Sequence, residues 1–179
     1  SFQTLSNSMG KLRDKITEQY QMLENIPNPV VKIDRDFNIE YANLKTAELL
    51  GLNRQEITGT KCYNHFKTEH CNTEKCAVAK AMKSNRVTTA ETVAHPNEQT
   101  LSIVYTGTPI INNSGDVVGG LEAITDVTEM QNEYSYLERS TVTLIDAMNK
   151  FASGDLTVHV KSEREKGEIH DLFVGFNLT

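Results

Sequence analysis

Residues 26–43 read I-P-N-P-V-V-K-I-D-R-D-F-N-I-E-Y-A-N, and this stretch decides the fold. An apolar segment at 30–33 is followed by a polar cluster at 34–38 and by a second alternating segment at 39–42. Two short segments of this kind, joined by turn-forming residues, predict a β-hairpin. Asn43 follows directly and is a residue type that favours the N-cap of a helix, so the hairpin should lead into a helix.

The segments that follow predict a group of helices and then three further strands. Gly51 should end the first helix, and Thr73 is expected to cap a later helix that runs from 74 to 84. Residues 54–72 are broken into short pieces typical of one-turn helices. The three strand-like segments lie at 87–94, 101–106 and 117–125. This order predicts an α+β domain: a five-stranded antiparallel sheet with its helices on one face.

Helices with a heptad pattern flank this domain. At the N-terminal end the apolar positions are Leu5, Met9, Leu12, Ile16 and Leu23. At the C-terminal end they are Met130, Tyr134, Leu137, Thr141, Leu144, Met148 and Phe151. The second set, here called the heptad seam, alternates steps of four and three without a break, which favours a parallel coiled coil and a homodimer. The alternative is one amphipathic helix that lies on its own domain, which predicts a wider apolar stripe. A helix over 127–152 would also be ~39 Å long, too long to lie on a small sheet.

The C-terminal tail continues beyond the heptad seam. An alternating segment follows Gly154, then a charged run at 161–168, and then a second apolar helical pattern that begins at Ile169. We therefore divide the chain into a connecting helix at 1–25, an α+β domain at 26–128 and a helical segment at 129–179. Because the chain starts without Met and stops abruptly, we expect it to be a fragment of a longer protein.

The composition excludes several classes of function. Lys and Arg number 18 against 24 Asp and Glu, a net charge of −6, so no basic excess is present to neutralise the phosphates of a nucleic acid. The longest stretch without a charged side chain, 99–115, contains Thr, Ser, Asn, Pro and Gly and is no membrane span. No signal peptide is visible. P-loop, G-x-S-x-G, H-E-x-x-H and paired catalytic carboxylates are all missing, so we expect no enzymatic activity.

Motifs along the chain resemble those of two signalling families. N-I-P-N-P-V-V-K-I-D, I-E-Y-A-N, L-L-G-L and the D-V-T at 126–128 are similar to PAS domains. In the tail, F-A-S-G-D-L-T-V-H-V resembles the end of the first helix and the connector of a HAMP domain, and G-E-I-H-D-L-F-V-G-F-N resembles the start of its second helix. The usual acidic pair is here Gly167-Glu168, so only Glu168 matches. Together the two resemblances cover about residues 26 to 179.

These resemblances imply a signalling function. PAS domains sense small ligands, cofactors or redox state, and HAMP domains are dimeric four-helix bundles that relay motion to a chemoreceptor tip, a histidine kinase or a cyclase. HAMP domains work on the cytoplasmic side, and no transmembrane segment separates the two parts here. The sensor-like part should therefore be cytoplasmic too, with the membrane reached only through missing parts of the chain.

The favoured interpretation is the sensory and relay fragment of a methyl-accepting, chemoreceptor-type transducer. The first alternative is the input region of a sensor histidine kinase, and the second is a metal- or redox-binding module. His170-Asp171-Leu172 is not followed by the Arg-Thr-Pro of a kinase phospho-acceptor box, so the HAMP interpretation is preferred for those residues. In all three cases the partners would be a second copy of the chain and, in the first two, a downstream signalling domain.

Five soft potential ligands fall within 15 residues: Cys62, His65, His70, Cys71 and Cys76. Thiolate and imidazole are the donors that Zn²⁺ or an Fe–S cluster prefers, so we consider a metal centre here. The spacing is not that of a C-x2-C motif, and redox-active thiols or inert packing remain alternatives. The cytoplasmic context implied by the resemblance disfavours disulfides and favours a metal or redox role.

Other ligands are less favoured by the sequence. A flavin-binding PAS domain needs a cysteine within a G-x-N-C-R-F-L-Q type segment, which is missing. The helix that usually carries a haem-binding histidine has none, although His70 just before it keeps haem open. An organic ligand remains open, in a cavity lined by Phe66, Met82, Ile103, Tyr105 and Leu121. The resemblance further implies that the signal leaves the sheet through Asp126 and Thr128, whose side chains can bond backbone groups at the strand–helix junction, and continues to Glu168.

Overall fold

A computed structural model describes residues 2–177, in two compact units of which the first ends at Val127 and the second begins at Thr128. The helices and strands of the first unit are α1 (Phe2–Glu24), β1 (Val30–Asp34), β2 (Ile39–Ala42), α2 (Leu44–Leu50), α3 (Arg54–Ile57), α4 (Cys62–Phe66), α5 (Ala77–Ser84), β3 (Thr88–Ala94), β4 (Leu101–Ile111) and β5 (Val117–Asp126). The helices of the second unit are α6 (Thr128–Ala152) and α7 (Glu168–Asn177).

The five strands form one antiparallel sheet in the order β2-β1-β5-β4-β3. The last strand therefore lies in the centre, paired with β1 on one side and β4 on the other. Val31 stands opposite Glu122, and Tyr105 stands opposite Ile124. The predicted α+β class, with its five-stranded antiparallel sheet and flanking helices, is confirmed.

The core lies between one face of the sheet and helices α2 to α5. Side chains from both sides are almost completely buried, among them Val31, Ile33, Ile57, Val78, Ile103 and Ile124. Two glycines let α5 approach the sheet closely: a Cβ atom on Gly107 would lie 2.5 Å from the Cα of Val78, and one on Gly120 would lie 2.6 Å from its Cγ1. The position of α5 thus depends on bare backbone in β4 and β5.

Asn43 organises the start of α2 as the sequence predicts. Its side chain accepts hydrogen bonds from the backbone N–H groups of Thr46 and Val30, both at 3.0 Å. Its amide group donates to the carbonyl of Asn28 at 2.9 Å, and the residue is fully buried. Gly51 ends the helix with a φ of 64°, a left-handed conformation that glycine adopts at little cost.

The prediction for the longest helix of this region is wrong at its start. α5 begins at Ala77, not at residue 74, and Cys76 occupies the N-cap position. The hydroxyl of Thr73 donates to the carbonyl of His70 at 2.9 Å and accepts from the N–H of Lys75 at 3.1 Å. A local turn therefore uses the side chain that was expected to cap the helix.

Glu24 attaches the end of α1 to the sheet domain. Its carboxylate accepts hydrogen bonds from the hydroxyl of Tyr41 at 2.8 Å and from the backbone N–H of Leu44 at 3.1 Å, and it pairs with Arg54. The ring of Tyr20 also packs edge-on against Tyr41, with centroids 6.0 Å apart. Earlier in the helix the heptad positions are exposed, among them Leu5, Met9, Leu12 and Ile16.

The second unit consists of a helix, an extended connector and a second helix. Ala147, Val160 and Phe173 form its small core, against which Leu144, Val158, Ile169 and Phe176 pack. Arg164 of the connector makes a bidentate pair with Glu133, at 3.0 and 2.7 Å, and lies 3.9 Å above the ring of Tyr136. Leu144, which the heptad pattern assigns to a helix–helix seam, is thus partly covered within its own chain.

Candidate functional site

A small internal cavity of about 20 Å³ lies where α4, the following turns and α5 meet the sheet. Its lining residues are Phe37, Cys62, Phe66, Thr68, Cys71, Cys76, Val78, Tyr105 and Glu122. An open groove of about 630 Å³ lies on the outer side of the same helices. Phe37 and the three cysteines line both spaces, so they form the wall between the groove and the inner cavity.

The fold brings the three cysteines together from separate positions on the chain. Cys62 is the first residue of α4 and is buried, Cys76 precedes α5, and Cys71 lies in the turn between these helices; all three are free thiols. The backbone N–H of Thr68 donates to the sulfur of Cys71 at 3.3 Å. Burial, with a smaller contribution from Glu122, raises the pKa of the Cys62 thiol; burial also raises that of Cys76. Both thiols are therefore held in the protonated form.

Glu122 is a functional candidate that the sequence analysis missed. It points from the centre of β5 into the same cavity, with 8 % of its surface exposed. Within residues 2–177 its carboxylate has no hydrogen-bond or ion-pair partner. Burial raises the pKa of Glu122 to about 7, because an apolar surrounding disfavours the charged form. The sequence feature that could have identified it is the alternation of side chains along the strand, which places Glu122 on the same face as Gly120 and Ile124.

The two histidines of the predicted metal site are engaged outside the cavity. The Nε2 atom of His65 lies 2.6 Å from the hydroxyl of Thr60, and burial lowers the pKa of its ring. The Nδ1 atom of His70 lies 3.0 Å from the hydroxyl of Tyr105, which also accepts a bond from the N–H of Ala77 at 3.2 Å. His70 thus does not line the cavity itself but is hydrogen-bonded to Tyr105, which does. In the part of the chain described, no three His, Cys, Asp or Glu side chains already stand in metal-binding geometry.

Of the five residues predicted to line an organic-ligand cavity, two line the inner cavity and three do not. Phe66 and Tyr105 line the inner cavity. Met82 and Ile103 belong to the core but do not reach this cavity. Leu121 lies on the opposite face of the sheet, because side chains alternate along a strand and its neighbour Glu122 points inward. A cavity of about 20 Å³ holds one water-sized occupant and no organic molecule.

The predicted relay residues lie at the ends of elements. Asp126 is the last residue of β5 and stands opposite Ile103, and Thr128 is the first residue of α6. Between them, the N–H of Val127 donates to the carbonyl of Ser102 at 2.9 Å, so strand pairing continues up to the start of the helix. Glu168 is the first residue of α7.

A family model described as the PAS fold matches residues 23–132. The chain belongs to the PAS family. The match covers the sheet, the helices that enclose the cysteine cavity and the start of α6, so the first unit contains a PAS sensory domain. No curated protein sequence matches the chain.

Solved PAS domains share this fold at low sequence identity. One from Colwellia psychrerythraea is 17% identical, covers 64% of this chain and 98% of its own, and superposes with a TM-score of 0.56. One from an HTR-like protein of Haloarcula marismortui is 16% identical, with 68% and 98% coverage and a TM-score of 0.56. The PAS domain of nitrogen regulation protein NR(II) from Vibrio parahaemolyticus is 15% identical, with 60% and 96% coverage and a TM-score of 0.51. At these identities the likeness concerns the PAS fold alone.

The helices of residues 2–177 include none that is both long and apolar enough to cross a membrane.

Proposed function

We propose that the chain is the sensory and relay segment of a chemoreceptor-type transducer, acting on the cytoplasmic side. In this proposal the PAS domain detects a small ligand, a metal ion or a redox change and passes its change of state to HAMP-like helices. The observation that carries the proposal is the continuity at the end of the sheet. β5 ends at Asp126, Val127 still pairs with β4, and α6 begins at Thr128. A displacement of the central strand would therefore act directly on a helix of 25 residues.

The organisation of the second unit supports the HAMP part of the proposal. A long helix, an extended connector and a second helix follow one another, and α7 begins at Glu168, the acidic position that the HAMP resemblance assigns there. Asn177 fixes the connector by accepting from the N–H of Val160 at 2.9 Å and donating to its carbonyl at 2.7 Å. The unit thus has a core and polar contacts of its own.

Exposure of the heptad seam supports a homodimer. Five of its apolar residues, Met130, Tyr134, Leu137, Met148 and Phe151, are between 43% and 69% exposed. Apolar side chains repeated at heptad spacing pack against a second helix with the same repeat. A second copy of the chain supplies such a helix at the same height when the two copies lie parallel.

A sensor histidine kinase is the second candidate for the parent protein. Solved structures with the same fold include PAS domains of NR(II) and of a two-component sensor histidine kinase. The residues downstream of 179 separate the two candidates. A long coiled coil with Gln and Glu methylation pairs indicates a chemoreceptor, whereas an H-box followed by an ATP-binding domain indicates a kinase. This chain would itself have no catalytic step in either case.

The relay is tested by insertions that rotate the heptad seam of α6 in the full-length protein. Two residues are inserted between Glu129 and Met130 in one variant, and seven residues in a control variant. A seven-residue insertion preserves the heptad phase, whereas two residues, at about 100° each, rotate the seam by about 200° to the other side of the helix. We expect the activity of the coupled or fused kinase to change in the first variant and to remain close to the wild-type value in the second. Wild-type activity in both variants would exclude a relay through this helix.

A further inference from the structure

We propose that Cys62, Cys71, Cys76 and Glu122 bind one Zn²⁺ ion in the small cavity between the sheet, α4 and α5. The proposal names the ligand of the sensory site and rests on the proposed function for its biological role. The binding itself is a property of the chain and is measured without any signalling output. The sequence offers His65 and His70 as candidate donors beside the three cysteines, and the geometry points to a carboxylate from the central strand instead.

The first argument is the placement of the donors. Three cysteines line one cavity from three different positions, the first turn of α4, the connecting turn and the residue before α5. A carboxylate reaches it from the opposite side, from the sheet. Three thiolates and one oxygen donor on opposite sides of a cavity are the ingredients of a four-coordinate zinc site.

The second argument is the condition of Glu122. A carboxylate that is more than nine-tenths buried and has no partner within residues 2–177 is costly for the fold. Buried carboxylates are normally hydrogen-bonded, paired with a cation or bound to a metal. No Lys or Arg lines the inner cavity, so a metal ion is the cation that this site can accommodate.

The third argument is size. A volume of about 20 Å³ admits one atom-sized occupant, since a cavity needs roughly 10–15 Å³ to hold a single water. This favours one metal ion over an Fe–S cluster, which needs several times that space. A water is a poorer occupant, because thiols are weak hydrogen-bonding groups and a buried water needs two to four polar partners.

The donors must approach one another for the metal to bind, because within residues 2–177 no three of them stand in metal-binding geometry. Without a cation, three thiolates and a carboxylate would repel one another, so the thiols remain protonated. Binding of Zn²⁺ releases the thiol protons and draws the sulfurs inward, to about 2.3 Å from the ion. Cys71 and Cys76 lie in or next to turns that contain the left-handed residues Lys67 and Asn72, and both lie outside the strands of the sheet.

Neighbouring groups compensate the negative charge of such a site. The N–H of Thr68 already donates to the sulfur of Cys71, an interaction that fixes and stabilises a metal-bound thiolate. Cys76 precedes α5, whose amides at Val78 and Ala79 lower the pKa of its thiol against the larger effect of burial. Lys80 lines the outer groove on the far side of the cysteines.

Metal binding is tested on the full 179-residue chain after reduction and removal of metals with a chelator. Zn²⁺ is titrated by calorimetry, and Co²⁺ serves as a spectroscopic probe of the ligands. We expect one equivalent of Zn²⁺ to bind more tightly than about 1 µM, with proton release. We also expect a Co²⁺ spectrum with strong sulfur charge-transfer bands and the intense visible absorption of a tetrahedral site. Failure to bind Zn²⁺ at this affinity would overturn the proposal.

Substitutions identify the donors. Cys71→Ser, at a half-buried position, should weaken Zn²⁺ binding at least tenfold and remove part of the charge-transfer intensity. Glu122→Gln should weaken binding at least tenfold with the sulfur bands retained. His95→Ala, at a surface histidine, is the control and should bind Zn²⁺ like the wild type; circular dichroism verifies that each variant is folded. A larger effect of His70→Ala than of Glu122→Gln would overturn the assignment of the fourth donor.

The binding and signalling proposals can fail separately. If Zn²⁺ binds through these residues but a chelator leaves the output of the full-length protein unchanged, the metal site stands and its sensory role is wrong. If a phase-shifting insertion in α6 alters output but the purified chain binds no Zn²⁺, the relay stands and the metal site is wrong.

Discussion

Replacement of Glu122 by Gln should change how stability depends on pH in the metal-free protein. In the folded state burial raises the pKa of Glu122 to about 7, against 4.5 for a solvated glutamate. Between these values the folded protein holds a proton that the unfolded chain has released. The free energy of unfolding therefore falls as pH rises through this window and levels off above it. Gln has nearly the same shape and no such titration.

The magnitude follows from the difference between the two pKa values. A separation of 4.5 to about 7, at about 1.4 kcal/mol per unit, corresponds to about 3 kcal/mol. The difference in unfolding free energy, Glu122→Gln minus wild type, should thus increase by about 3 kcal/mol between pH 4 and pH 8. Neighbouring titratable groups at the cavity are the thiols of Cys62, Cys71 and Cys76 and the phenol of Tyr105, chemical types that ordinarily ionise above this window.

Urea unfolding followed by circular dichroism, in buffer with a chelator and a reductant, measures the difference at each pH. Glu91→Gln, at an exposed position of β3, is a matched control that should show less than about 0.5 kcal/mol of such change. A difference for Glu122→Gln that stays constant from pH 4 to pH 8 would refute the assignment of a buried, unpaired carboxylate.

Three further predictions concern the seam and the fold. Leu137→Glu should weaken the dimer because it places a charge in the seam. Val142→Glu, at an exposed position off the seam, is the control, and sedimentation equilibrium should show more monomer for Leu137→Glu. Equal association of the two variants would contradict a seam interface. Asn43→Ala should lower stability by about 3 kcal/mol, since it removes a helix cap and leaves a buried N–H unpaired; a loss below 1 kcal/mol in urea unfolding would contradict this. Gly107→Ala should destabilise the PAS domain, because its Cβ atom would overlap the backbone of Val78, and an unchanged melting temperature would show that α5 can move away freely.

Local patterns in the sequence were sufficient for most of the fold. The alternation of apolar residues located all five strands, and Asn43 and Gly51 marked the two ends of α2 because capping depends on a few neighbouring atoms. The prediction for Thr73 was wrong since its hydroxyl bonds back to His70 instead of forward into a helix. A threonine in a turn can either bond back to an earlier carbonyl or cap a following helix. Which of the two it does depends on where the rest of the fold holds Cys76 and Ala77.

The candidate site was predicted in part. The cysteines were identified by their chemistry, and the structure places all three at one cavity. Leu121 was expected to point inward and Glu122 was overlooked, because a shift of one residue along a strand exchanges its two faces. The segment from Val117 to Ile124 has small or apolar residues on both faces, so the sequence does not show which face points into the core. Only the approach of α5 over Gly120 shows which face is the inner one.

The attachment of α1 through Glu24 matters to anyone who joins this domain to another protein. The carboxylate of Glu24 bonds the end of the helix to β2, α2 and α3 at once, and Tyr20 adds a ring contact with Tyr41. A fusion partner added as a continuous helix before residue 24 would therefore keep a fixed angle to the sheet, and its orientation could be set by the number of residues in the join. A chimera that replaces Glu24 would weaken this attachment and leave the ring contact between Tyr20 and Tyr41 to orient the helix.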